Sequence, residues 1–329
     1  MSDVDTTRTR AQAATDAAQG MGVEARSQAQ LVLRRFLRHK GAVAGLIGLG
    51  AIVVLAMSSI GFGPIPGWWP KDFATTGTLV NEGRPTLSVW PSFLGGPGFQ
   101  IGEHPFGQDN VGRDYFALTM RGAQVSLIIA FIVGIVATFV GTVIGAVAGY
   151  FRGKAEASLM RLTDVVITIP TLLFAGLVAV MWGQQGIVVL GLVLGLVTWT
   201  PTARLIRGEV LSIREKEFVT AARSFGASSV RIITKHVLPN TVGIIIVSVT
   251  LAIATAIILE SALSFLGLGV QPPDTSLGRI ISDYQNALTV RPWLFYWPGL
   301  FIIGIVLSVN FIGDGLRDAF DPRQNRVRD

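Results

Sequence analysis

The sequence has no cysteine and only three histidines, His39, His104 and His236, among 329 residues. The first absence excludes disulfides and thiolate metal sites, and the scattered histidines offer no metal-ligand spacing. Charge is scarce as well. Asp, Glu, Lys and Arg make up 15% of the chain against 50% hydrophobic residues, and the mean hydropathy is +0.55. That composition is too apolar for an ordinary soluble protein of this length. A phosphate-cradling loop of the form G-x-x-x-x-G-K-[ST] is also missing. The nearest string, "GYFRGKA" at 149–155, has three residues between its glycines and alanine after the lysine. Nucleotide hydrolysis by this chain is therefore not expected. No cleavable leader is expected either, because the first apolar run starts near residue 41 and is long enough to stay as an anchor.

What the chain does have is long uncharged runs. A bilayer core needs about 20 apolar residues in helical form, and such runs occupy 41–60, 123–150, 240–259 and 292–313. Another covers the 39 positions 165–203 and is interrupted by "GQQG" at 183–186, which predicts two helices and a tight turn. The expected fold is all-α, a polytopic membrane protein of six transmembrane helices. Its divisions are a disordered tail over 1–30, a first span with a basic approach over 31–60 and a Gly-, Pro- and Trp-rich external loop over 61–122. A core of five further spans follows over 123–322, containing a large loop at 204–239, and a tail covers 323–329.

Lys and Arg are distributed unevenly. Segments 1–40, 151–164, 204–239 and 314–329 hold 21 of them, and the alternate connections hold 6. That bias predicts cytoplasmic termini and accounts for the net charge of +6 without nucleic acid. The uncharged cores carry a second message. A secondary transporter driven by an ion gradient needs ionisable or ion-coordinating residues in mid-span, and an intramembrane enzyme needs paired acids, ligands or a nucleophile and its base. The six runs lack them.

One stretch between two runs is different. In "FVTAARSFGASSVRIITKHVLPN", residues 218–240, Phe218, Ala222 and Phe225 fall at i, i+4 and i+7 of a helix. Gly226 permits a turn, Ser228 or Ser229 can cap a second helix striped by Val230, Ile233 and Val237, and Pro239 is expected to stop it. The product is a helix, a turn and a helix, apolar on one side and basic on the other. Two uses remain open at this point: an amphipathic hairpin lying on lipid, or an element docked in a groove of a cytoplasmic partner.

The same residues carry a resemblance. "TAARSFGASSVRIITKHVLP" resembles the EAA loop of permease subunits in binding-protein-dependent ABC importers, with Ala221, Ala222, Gly226, Leu238 and Pro239 at the matching positions. Thr220 stands where that loop has its glutamate, and His236 replaces an aliphatic residue. "HPFGQDNVGRDYFALTMRGAQVSL", "DVVITIPTLLFA", "ESALSFLGLGVQPP" and "NFIGDGLRDAFDP" are similar, in order, to segments of the C-type subunit of dipeptide, oligopeptide and nickel permeases. "TSLG" at 275–278 departs from the more usual Ser-Trp-Gly.

The resemblance implies a type I ABC importer permease in a bacterial inner membrane. Its partners would be a second, homologous permease, two ATPase subunits that use ATP and Mg, and an extracytoplasmic solute-binding protein. Peptide is the implied substrate; nickel or another small solute is the alternative. This chain itself would hold no cofactor and no metal. The implied ATPase-coupling residues are Phe218, Ala221, Ala222, Arg223, Phe225, Gly226, Leu238 and Pro239.

Other residues admit two readings. Glu260, at the far end of the fifth run, is a solute-path candidate or a satisfied helix-end charge. Asp164 and Asp314 are expected to pair locally with Arg161 and Arg317 or to cap helix ends. Gly141, Gly145 and Gly149 suit close helix contact, and Pro170, Pro201 and Pro298 mark kinks or helix ends.

Overall fold

The computed structural model describes residues 28–88, 96 and 98–320. Almost all of the tail assigned to 1–30, and the whole of 323–329, lie outside the described residues. The elements in order are α1 (Gln28–Arg38), α2 (Lys40–Ser59), a two-residue hairpin β1 (Gly61–Phe62) and β2 (Ile65–Pro66), α3 (Tyr115–Phe151), α4 (Gly153–Thr168) and α5 (Thr171–Trp182). Then come α6 (Ile187–Val197), α7 (Thr200–Arg214), α8 (Glu217–Ser224), α9 (Ser229–Ile232), a π-helical turn (Ile233–Val237), α10 (Leu238–Phe265), α11 (Leu277–Tyr284) and α12 (Trp293–Phe320).

Among the described residues, four helices are long and apolar enough to cross a membrane: α2, α3, the continuous run Ser229–Phe265, and α12. Two bent pairs, α4 with α5 at 88° and α6 with α7 at 49°, raise the number to six if each counts as one span. The uncharged run 165–203 thus belongs to four helices rather than two. At a rise of 1.5 Å per residue, the 12-residue α5 spans only about 18 Å, too short for a bilayer core of about 30 Å. The breaks fall at Pro170 and just before Pro201, and Gly186, at φ +109°, makes the turn between α5 and α6. Pro298 differs, because it stays inside α12.

The second span begins earlier than its uncharged run. Asp114 caps α3, accepting from the Ala117 N–H at 2.8 Å, and Arg121 in the second turn pairs with Asp274 at 2.5 Å. A charge neutralised at the helix end does not stop the helix. α3 is the central rod and packs on α7, α10 and α6. Its small residues make this possible: a Cβ on Gly145 would lie 2.5 Å from the Ala203 carbonyl oxygen, and one on Gly149 2.9 Å from that of Arg207. Leucine-sized residues here would force α3 and α7 apart.

Among the described residues, 61–88 and 98–114 fold as a cap over one end of the bundle and are joined to α11 and the start of α12. Phe106 stacks on Trp297 at 3.9 Å between centroids. Asp109, almost fully buried, accepts from Arg113 Nε at 2.6 Å and from the Tyr284 hydroxyl at 2.7 Å. His104 is buried between Lys71 Nζ at 2.9 Å and Asp114 at 2.7 Å. Because lysine only donates, His104 Nε2 accepts and Nδ1–H donates to Asp114. The histidine therefore orients the cap of α3.

Candidate coupling site

At the end of the bundle opposite the cap, the segment between α7 and α10 forms its own small core. Val219, Ile232 and Val237 are buried there with Ala146 and Tyr150 of α3 and Ile206, Val210 and Ile213 of α7. Two ion pairs brace the surroundings: Arg207 binds Glu156, and Arg204 binds Asp164 at 2.5 Å. Asp164 therefore pairs across to α7 and not with Arg161, while Asp314 is solvent-facing. Between the two helix breaks lies a cavity of about 310 Å³, lined by residues that include Ile169, Phe174, Val197, Pro201 and Arg204.

Gly226 has φ +79° and links α8 to α9, and a Cβ there would meet nothing within 4 Å. The requirement for glycine is thus conformational. Ser228 is the cap of α9; its hydroxyl accepts from the Arg231 N–H at 3.4 Å. Beyond this turn the expected stripes need correction. In α8 the buried residue is Val219, whereas Phe218 is 41% exposed and Phe225 91%. Ala222 is half-buried, Ala221 is exposed, and the Arg223 guanidinium lies 5.8 Å from the centre of the Tyr150 ring. The apolar set therefore divides into an inner member that seats the helix and two aromatic rings turned outward.

In the second helix Ile232 is fully buried and Val230 is 68% exposed. Pro239 does not end it. The chain passes from α9 through the π turn into α10 as one helix, and the Leu238 N–H reaches back to the Ile233 carbonyl. The wider turn rotates the faces relative to an α-helical count and accommodates the proline, which has no N–H to give. Asn240 Nδ2 donates to the His236 carbonyl at 2.6 Å, pairing a carbonyl beside the proline. Leu238 is half-buried against the small core, and Pro239 is exposed.

The described residues thus present two exposed phenylalanines and Val230 around a glycine turn, fixed from beneath by Val219, Ile232 and Tyr150. The family described as binding-protein-dependent transport system inner membrane component matches residues 141–326, and the N-terminal TM domain of oligopeptide transport permease C matches 27–76. The chain is 36% identical over 303 residues to the oligopeptide transport system permease protein OppC of Mycobacterium tuberculosis (strain H37Rv), covering 92% of this chain and 97% of that protein. With OppC of Escherichia coli (strain K12) the identity is 36% over 301 residues, covering 92% and 93%.

The chain belongs to the inner-membrane components of binding-protein-dependent transport systems. A solved inward-facing structure of the MetNI methionine ABC transporter aligns at 18% identity with a TM-score of 0.49, over 62% of this chain and 96% of that one. In this permease Glu260 does not face a passage open to solvent: it is fully buried where α10, α3 and α11 meet. The Ser126 and Ser264 hydroxyls donate to its two oxygens at 2.9 and 2.7 Å. Val219, Ile232 and Tyr150 were missing from the sequence reading. The sequence signal for Tyr150 is its place at the end of the second uncharged run, where an amphipathic ring suits a helix end; that for Val219 is its i, i+3 spacing to Ala222 in α8, and Ile232 carries none that survives the π turn.

Proposed function

We propose that this permease forms half of the translocation pathway of an ATP-driven oligopeptide importer. The observation that carries the reading is identity above one third, over more than nine tenths of both chains, with permeases named for oligopeptide transport. Both termini and α8–α9 face the cytoplasm, in keeping with the bias of 21 Lys and Arg against 6, and the cap faces outward. Phe218, Phe225 and Val230, with Ala221 and Pro239 beside them, dock into a groove of an ATPase subunit, while Ala222, Arg223, Gly226 and Leu238 hold that surface in shape. Movement of the docked element on ATP binding then tilts the rod Ser229–Phe265 and opens the breaks at Pro170 and Pro201. The second half of the pathway is a homologous permease, and an extracytoplasmic binding protein delivers the peptide.

The test is reconstitution in liposomes with the copurifying subunits. Peptide uptake is expected to require ATP and Mg, and this chain alone is expected to show no ATPase activity above background. Uptake by the chain without ATPase subunits, or competition by nickel and not by peptide, would overturn the reading.

A further inference from the structure

The fully buried carboxylate of Glu260 sits at a junction whose hydrogen bonds run in one direction. The Leu277 N–H, at the first residue of α11, donates to Ser126 Oγ at 3.2 Å, and the Ser126 hydroxyl donates onward to one oxygen of Glu260. The Arg279 N–H donates to the α11 cap Ser276 at 3.2 Å, and the Ser276 hydroxyl donates to Ser264 Oγ at 3.1 Å. Ser264 Oγ also accepts from the Val270 N–H at 3.1 Å and gives its own proton to the other oxygen of Glu260. Ser264 Oγ, accepting from both Val270 and Ser276, has only its proton left to give, and it and Ser126 each direct that proton to one oxygen of the carboxylate. Only a group that accepts at both oxygens completes both chains.

The backbone packs as closely as the hydrogen bonds imply. A Cβ on Gly278 of α11 would lie 2.5 Å from Ser261 Cα of α10, and one on Gly269 2.1 Å from Ser264 Oγ. A Cβ on Gly122 of α3 would lie 3.1 Å from the Leu277 nitrogen. At these glycines the backbone of α11 comes directly against α10 and that of α3 directly against α11, with Leu277 and Ile280 buried beside them. Glu260 lies on the same uninterrupted helix, Ser229–Phe265, whose other end is the coupling turn.

From this, the geometry points to Glu260 as a positioning residue that locks α11 to the α10 rod, so that displacement at the α8–α9 end is delivered to the cap face through α11. The inference rests on the coupling role proposed above. It gives Glu260 a part in transmission rather than in contact with solute.

The test uses the assembled transporter with single cysteines at Ser228 and Gln285, two exposed positions at the opposite ends of this path in a chain with no native cysteine. Labelling rates with an impermeant maleimide are compared without nucleotide and with nucleotide trapped by vanadate. In the wild type both positions are expected to respond to nucleotide. In Glu260→Ala the response at 228 is expected to persist and that at 285 to be lost. Glu260→Gln, which keeps the volume but turns a donor toward one serine, guards against a folding defect and is expected to shift the same way. A full nucleotide response at 285 in both variants overturns the proposal, as does a wild type in which 228 responds and 285 does not. Silence at both wild-type positions overturns the coupling role itself, and the assignment of Glu260 with it.

Discussion

Two glycines illustrate how the same residue type serves different ends. Gly226 sits at φ +79° with open space where a Cβ would go, so a larger residue there strains the backbone and meets no neighbour. A β-branched residue forced into that region costs about 1 kcal/mol or more. Gly226→Val is therefore expected to leave expression and membrane insertion near normal while weakening ATPase association or uncoupling hydrolysis from uptake; wild-type assembly with wild-type uptake would refute this. Gly145 has an ordinary helical backbone but faces the Ala203 carbonyl and Ile206 of α7. Gly145→Val overpacks the α3–α7 contact by about 1–3 kcal/mol and is expected to lower the yield of folded protein, read by size-exclusion chromatography in detergent. Both roles were legible in the residues themselves, the turn from a lone glycine between two helical patterns and the contact from a four-residue repeat of small side chains.

At the scale of elements, the sequence was most informative where one helix has one period. α2 follows its uncharged run closely, and α12 begins with its own run but continues past it to Phe320. Legibility failed where geometry changed inside a run. Pro239 reads as a stop because an α-helix has no place for it, yet a π turn absorbs it, and that turn shifts burial from Val230 to Ile232. Likewise α5 and α6 are hidden in one long uncharged stretch, since lipid-facing residues look alike on either side of a break.

The Gly-, Pro- and Trp-rich composition predicts an ordered but irregular cap, and what it does not disclose is the contacts that order it, between Asp109, Arg113 and Tyr284, the last 171 residues from Arg113 in sequence. Burial, reinforced by the hydrogen bond to Asp109, raises the pKa of the Tyr284 hydroxyl well above its ordinary value. The folded cap therefore favours the protonated phenol. This contribution to stability is complete below the unfolded-state pKa of about 10 and is lost as pH rises above it. Thermal unfolding of the purified permease is expected to drop between neutral pH and strongly alkaline pH. Tyr284→Phe removes the titrating group, and the buried Asp109 then lacks one donor, at about 1–3 kcal/mol. That variant should unfold earlier at neutral pH and lose less on going to alkaline pH; an unchanged alkaline drop would show that Tyr284 does not carry it.

At the scale of the whole molecule, the question is which end faces which side. The rod Ser229–Phe265 has 37 residues, about 55 Å at 1.5 Å per residue, against a hydrocarbon core of about 30 Å. About half of it therefore stands outside the hydrocarbon, shared between the coupling turn at one end and the junction with α11 at the other. Tying the cap to one end of α3 and the coupling core to its other end leaves no arrangement in which both lie on the same side of the bilayer. The orientation proposed above follows the charge bias, which favours the Arg- and Lys-rich α7–α9 region on the inside. Thr76 in the cap and Ser228 at the coupling turn are both exposed, and without native cysteines each can carry a single reactive thiol. In cells whose outer membrane has been made permeable, an impermeant maleimide is expected to label Thr76→Cys from outside and to reach Ser228→Cys only after the inner membrane is opened. Labelling at 228 but not at 76 in intact inner membranes would invert the orientation, and labelling at both would break the requirement that the cap and the coupling turn lie on opposite faces.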